Sequence, residues 1–204
     1  MTGRLTRIGF VLAFLLQAAL LSWMIVGRAM LLANGTEVRL AVVPVDPRDF
    51  LRGDYVVLAY DISTLDPAKL AGDDSFNVDD PIYVALVPAS APSPSAPTET
   101  APADPVWQAS ALYHAYPPDA AGPVLRGRVS GTLDRSGCTQ PPCQEYRVDY
   151  GLEKFFVPEG EGRALEQLRN DEKLTADIAV GSNGAAVLKR LRVNGDIRYE
   201  AGLF

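Results

Sequence analysis

Histidine and cysteine are scarce in this chain of 204 residues, which contains one histidine, His114, and two cysteines, Cys138 and Cys143. A structural zinc ion takes four nitrogen, sulfur or oxygen ligands, and these three side chains do not have the usual spacing. The cysteines are separated by four residues, so the C-x-x-C motif of redox-active dithiols is absent. The sequence therefore predicts no metal and no other cofactor.

Acidic residues are absent from the first 36 positions, where Arg4, Arg7 and Arg28 are the only charged residues. Because the whole chain carries a formal net charge of -6, the remainder carries -9. Nucleic-acid binding needs a clustered basic surface, so we do not expect a nucleic-acid partner. The negative charge favours solubility and would repel anionic lipid headgroups.

Charged residues are also missing from residues 8–26, an apolar run whose clearly polar side chains are Gln17 and Ser22. Such a run can span a hydrocarbon core of about 30 Å. Arg4 and Arg7 precede it, which predicts a cytoplasmic N-terminus and export of everything after Arg28. The alternative is a cleaved signal peptide, but the run exceeds the usual apolar length of about 7–15 residues and is followed by a poor cleavage site.

The composition predicts four parts: a cytoplasmic N-terminus (1–7), a membrane anchor (8–26), a connector (27–36) and an exported domain (37–204). Within the domain, residues 88–105 are rich in Pro, Ala and Ser and contain no large apolar residue, which predicts a disordered insert. Export also favours a disulfide between Cys138 and Cys143, with free thiols as the alternative.

Hydrophobic alternation predicts a mainly β (α+β) domain. The predicted strands cover residues 37–45, 54–62, 82–87, 106–115, 124–133, 145–157, 174–180, 185–193 and 197–199. Residues 54–62 are apolar on both faces, which predicts a central strand. One helix is predicted over residues 160–170.

A short capped helical turn is predicted just before that central strand. Asp46 fits the N-cap, Pro47 the first helical position, and Asp49 the position where an acid completes a capping box. Gly53 fits the end of the turn, where a positive φ is common. A hydrolase using Asp46, Asp49, Asp54 or His114 is an alternative interpretation of the same acids, and a small-molecule sensor is a further one.

The segment Gly53-Asp54-Tyr55-Val56-Val57-Leu58-Ala59-Tyr60 resembles the signature of the GDYXXLXY proteins, and Tyr150-Gly151-Leu152-Glu153 is similar to another of their shared blocks. In that pattern the signature residues are Gly53, Asp54, Tyr55, Leu58 and Tyr60. The resemblance implies a bacterial single-pass inner-membrane protein without an assigned activity. It also implies an integral, multi-pass membrane protein as the partner.

Residues 51–56 are also similar to the stretch that follows the nucleophile of membrane-bound signal peptidases. The position of the nucleophilic serine is occupied here by Val45. A hydroxyl nucleophile is required before a base has anything to activate, so the sequence does not predict peptidase activity. We therefore expect a membrane-tethered, non-catalytic binding or assembly module, with no catalytic residue assigned.

Overall fold

The computed structural model describes residues 2–43, 55–89, 105–135, 142–156 and 174–200. These residues form one α-helix followed by a β-rich domain, so the prediction of a mainly β fold is confirmed. The strands are β1 (Thr36–Val43), β2 (Tyr55–Val57), β3 (Ala59–Tyr60), β4 (Thr64–Leu65), β5 (Ala71–Gly72), β6 (Pro81–Pro88), β7 (Trp107–Tyr113), β8 (Val124–Asp134), β9 (Gln144–Asp149), β10 (Lys154–Phe156), β11 (Leu174–Val180), β12 (Ala186–Val193) and β13 (Asp196–Glu200).

The N-terminal helix, α1 (Thr2–Asn34), is apolar and largely exposed. Its part from Arg7 to Asn34 is long and apolar enough to cross a membrane, and a signal sequence would have the same properties. The helix continues through most of the segment predicted as a connector, residues 27–36. Only Gly35 separates the end of α1 from the start of β1.

Two large sheets enclose the core of the domain. The first has the strand order β13-β12-β11-β1-β3, and the second has the order β4-β9-β8-β6-β7-β5. A smaller sheet pairs β10 with β2. Apolar side chains from both large sheets form one buried cluster, with Leu40, Ile82, Leu125 and Ile178 among its fully buried members.

Three hairpins join strands that the sequence predicted. Strands β8 and β9 pair antiparallel, as do β11 with β12 and β12 with β13. The turn between β12 and β13 contains Asn194 and Gly195, whose φ angles of 53° and 91° match the left-handed backbone of a tight hairpin turn. The turn at Asn194 and Gly195 is thus a local signal for the pairing of β12 with β13.

The prediction of one continuous central strand over residues 54–62 is wrong. The chain pairs with β10 through β2, leaves the ladder at Leu58, and then pairs with β1 through β3 at the edge of the five-stranded sheet. A 3-10 turn, Asp61–Ser63, follows. The strand predicted over residues 145–157 is likewise divided into β9 and β10. Apolar character on both faces reflected a segment that changes sheets, which alternation alone does not reveal.

Two short strands that the sequence did not predict, β4 and β5, lie between β3 and β6. Strand β4 pairs with β9, and β5 pairs parallel with β7. The predicted helix over residues 160–170, the capped turn of Asp46, Pro47 and Asp49, and most of the predicted insert lie outside the described residues.

Candidate functional site

The signature segment lies where the three sheets approach one another. Its strand β2 pairs with β10, and its strand β3 pairs with Val42 and Val43 of β1. Leu58 and Tyr60 are buried, with exposed fractions of 0% and 1%, whereas Val57 is 42% exposed. The second half of the signature is therefore part of the core.

The second shared block binds this segment directly. The Tyr60 hydroxyl donates a hydrogen bond to the Leu152 carbonyl oxygen at 2.7 Å. The Leu58 backbone N–H donates to the Glu153 carbonyl oxygen, also at 2.7 Å. In the opposite direction, the Tyr150 hydroxyl donates to the carbonyl oxygen of Ile62 at 2.8 Å. The second block is thus hydrogen-bonded both to the signature and to Ile62, two residues beyond it.

The turn that makes this arrangement possible begins after β9. Gly151 has a φ of 76°, a conformation that strains residues carrying a Cβ atom. The Tyr150 backbone N–H donates to a carboxylate oxygen of Glu153, which closes the turn. We call the set of Leu58, Tyr60, Tyr150, Leu152 and Glu153 the signature clamp.

The two tyrosines of the signature clamp are held in the neutral form. Burial raises the pKa of Tyr60 well above its ordinary value, and the Glu153 carboxylate raises it further. Burial likewise raises the pKa of Tyr150, with added contributions from Asp61 and Glu153. Because both hydroxyls donate to carbonyl oxygens, neutral tyrosine is the form that these contacts require.

Alkaline titration should separate these tyrosines from the exposed ones among the eight in the chain. Their folded-state pKa values exceed the unfolded value of about 10, so the stabilisation they provide is complete below that pH and is lost as pH rises further. We expect tyrosinate absorbance to rise in two stages, the second together with loss of the β-sheet circular dichroism. In Tyr60→Phe the second stage should shrink. A single stage near pH 10 in a protein that remains folded would contradict the assignment.

A second polar arrangement was not found from the sequence. Asp177 of β11 is 3% exposed and accepts hydrogen bonds from three arginine side chains. The donors are Arg39 Nε at 2.8 Å, Arg190 Nε at 3.1 Å and Arg192 Nε at 2.7 Å. Arg39 lies opposite Asp177 on β1, and Arg190 lies opposite it on β12. We call these four residues the Asp177 cluster.

The charges of this cluster hold the Asp177 carboxyl in its ionised form. Burial acts to raise its pKa, but the hydrogen bonds and charges of Arg39 and Arg192 outweigh burial, and the pKa lies below its ordinary value. Glu37 forms ion pairs with Lys189 and Arg190 at the edge of the cluster. The sequence signal was one acid on β11 and several bases on its neighbours, which became informative only once the strand order was known.

Of the residues of the hydrolase interpretation, the structure describes His114. His114 is exposed, its backbone N–H donates to an Asp73 carboxylate oxygen at 2.8 Å, and its ring packs on Phe76 with centroids 4.2 Å apart. Asp46, Asp49 and Asp54 lie outside the described residues. Among the residues that are described, no group of three or more His, Cys, Asp and Glu side chains could hold a metal ion.

The structure describes one of the two cysteines of the predicted disulfide, Cys143. Cys143 precedes β9, and its carbonyl oxygen accepts a hydrogen bond from the Arg135 backbone N–H at 2.8 Å, which closes the end of the β8–β9 hairpin. Cys138 lies outside the described residues, as do Gly53 and Asp54 of the signature. The disulfide between Cys138 and Cys143 therefore stays a prediction.

Comparison with known proteins identifies the family. The chain belongs to the GDYXXLXY protein family, whose sequence profile matches residues 17–191. No curated protein and no solved structure matched the chain. The match extends from the second half of α1 into β12, so it includes the signature clamp and, of the Asp177 cluster, Arg39, Asp177 and Arg190.

Proposed function

We propose that this protein is a membrane-tethered, non-catalytic module that binds or assembles with an integral membrane protein. In this proposal α1 stays uncleaved and crosses the bacterial inner membrane, with the N-terminus in the cytoplasm and the β-domain in the periplasm. The charge-free run of residues 8–26 supports the crossing, and Arg4 and Arg7 before it support the orientation.

The observation that carries the proposal is the position of Gln17. It is the middle residue of the run 8–26, it is exposed on α1, and its side-chain amide makes no hydrogen bond to any residue that the structure describes. Its amide carries two N–H donors and a carbonyl acceptor, and the hydrocarbon core offers no water to satisfy them.

A polar group at that depth of a partner helix would satisfy the Gln17 amide. Interhelical hydrogen bonds of Gln and Asn contribute roughly 0.6–2 kcal/mol to helix association in membranes. An integral membrane protein with a polar side chain at mid-bilayer is therefore the partner that this chemistry fits. The signature clamp and the Asp177 cluster would serve this function by keeping the exported domain rigid.

Affinity purification of the full chain from a mild detergent tests this proposal. The wild-type protein should retain an integral membrane protein in a fixed stoichiometry, and Gln17→Leu should reduce its recovery several-fold. Leu15→Ala is the matched control, since residue 15 lies on the opposite face of the helix at nearly the same depth. Recovery of the bait alone, or equal recovery with Gln17→Leu, would count against the proposal.

A further inference from the structure

The junction between α1 and the β-domain is short and closely packed. The Gly35 backbone N–H donates to the Leu31 carbonyl oxygen at 2.9 Å, which continues the helical pattern to the last residue before β1. A Cβ atom at Gly35 would lie 3.0 Å from the Ala179 Cβ atom and 3.1 Å from the Val180 nitrogen. Because this junction is packed against β11, the direction of α1 sets which face of the domain is nearest the membrane.

That face contains an open groove of about 660 Å³. One wall is the end of α1, and the others are the loop between β7 and β8 and the turn after β11. Met30 is 61% exposed and Tyr116 is 38% exposed at its edge. Its lining includes the apolar side chains of Leu31, Ala121, Pro123 and Val180, and the polar side chains of Asn34, Thr36 and Ser182.

The depth of the groove follows from the rise of an α-helix. If the hydrocarbon core ends near Val26, Met30 lies about 6 Å and Asn34 about 12 Å beyond it, at about 1.5 Å per residue. The headgroup region adds roughly 5–8 Å on each side of the hydrocarbon core. The Met30 end of the groove therefore opens into the headgroup layer, and its Asn34 end lies on the water side of that layer.

The lining suits an interfacial lipid rather than an ion. None of its residues is charged. The apolar side chains at the Met30 end can contact the glycerol backbone of a lipid, while Asn34, Thr36 and Ser182 can form hydrogen bonds with the oxygens of its headgroup. Arg28, exposed two residues before Met30, can extend to a lipid phosphate in the same layer.

We infer that the groove binds a phospholipid of the leaflet in which α1 ends, and that this contact seats the β-domain on the membrane surface. The inference rests on the proposed membrane anchoring, because a cleaved helix would place no lipid at this site. A zwitterionic lipid is the fitting class, since the domain carries a net negative charge and the groove has no charged residue of its own.

Depth measurements in phosphatidylcholine nanodiscs test the inference on the full chain. Nitroxide amino acids incorporated singly at positions 20, 121 and 194 leave both native cysteines unchanged. Collision with oxygen and with a water-soluble nickel complex then reports the depth of each label. We expect position 20 to be in hydrocarbon, position 121 in the headgroup layer, with several-fold protection from nickel, and position 194 in water.

The outcomes separate this inference from the proposed anchoring. If position 20 is in hydrocarbon but position 121 is as accessible to nickel as position 194, the inferred lipid binding is wrong, whereas the proposed membrane anchoring is retained. If position 20 is also in water, the anchoring itself is wrong. Met30→Glu, which adds a charge at the groove without removing a buried side chain, should expose position 121 to nickel while circular dichroism stays unchanged.

Lipid contact can be measured directly with phosphatidylcholine that carries a photoreactive group in its headgroup. The label should form adducts with residues of the groove, and Met30→Glu should reduce them several-fold. Adducts confined to residues before Met30 would overturn the inference. A co-purified protein covering the groove, in place of lipid adducts, would overturn it too.

Discussion

Replacing Asp177 with Asn should lower the free energy of unfolding by about 3–5 kcal/mol, the usual cost of removing one partner from a buried ion pair. The substitution keeps the size of the side chain but leaves Arg39, Arg190 and Arg192 close together without the carboxylate that all three contact. Urea denaturation of the full chain in detergent, followed by circular dichroism, measures the loss.

Glu37→Gln is the matched control for Asp177→Asn. Glu37 belongs to the same network and pairs with Lys189 and Arg190, but its side chain is 47% exposed. Exposed ion pairs contribute about 0–1 kcal/mol, so this variant should unfold nearly like the wild type. Equal losses in the two variants would contradict the assignment of Asp177 as the centre of the network.

Asp177→Asn should also change how the free energy of unfolding depends on pH at acidic pH. The folded-state pKa of Asp177 is lowered, so its contribution is complete above the unfolded value of about 3.9 and is lost as pH falls through the folded value. The wild-type protein should lose more stability than Asp177→Asn over that range.

Replacing Leu58 with Ala should lower the free energy of unfolding by about 2–5 kcal/mol, because the truncation leaves a cavity at a fully buried position of the core. Its neighbour Val57 provides a control of similar chemistry. Val57 is 42% exposed, and Val57→Ala should change stability by no more than about 0.5 kcal/mol.

Leu58→Ala and Val57→Ala together show whether the signature residues stabilise the fold or bind the partner. If the signature clamp stabilises the fold, the amount of partner that co-purifies with Leu58→Ala should fall only in proportion to the loss of folded protein. A folded Leu58→Ala protein of wild-type stability that no longer recovers its partner would instead place the signature at the binding surface.

Local sequence signals predicted much of this fold because they act over a few residues. The turn residues Gly184, Asn194 and Gly195 have positive φ and join correctly predicted strands, and alternation identified β6, β8 and β11. The capping logic applied to Asp46-Pro47 is observed at Asp66-Pro67, where an Asp66 carboxylate oxygen accepts from the Ala68 backbone N–H at 3.1 Å.

The parts that were missed depend on contacts between distant segments. The break at Leu58 is stabilised by the Glu153 carbonyl oxygen, 95 positions away in the sequence. The Asp177 cluster depends on β1 and β12 lying on either side of β11. Neither relation leaves a local pattern. The resemblance of residues 53–60 and 150–153 to family blocks identified the right segments without indicating that they touch.

Photo-crosslinking in intact bacterial membranes is the most direct test of the proposed function, because it asks what lies beside Gln17 in the bilayer. A photoreactive amino acid at position 17 should give a discrete adduct with an integral membrane protein, while the same residue at position 15 should give adducts with lipid. Lipid adducts alone at both positions would contradict the proposed partner.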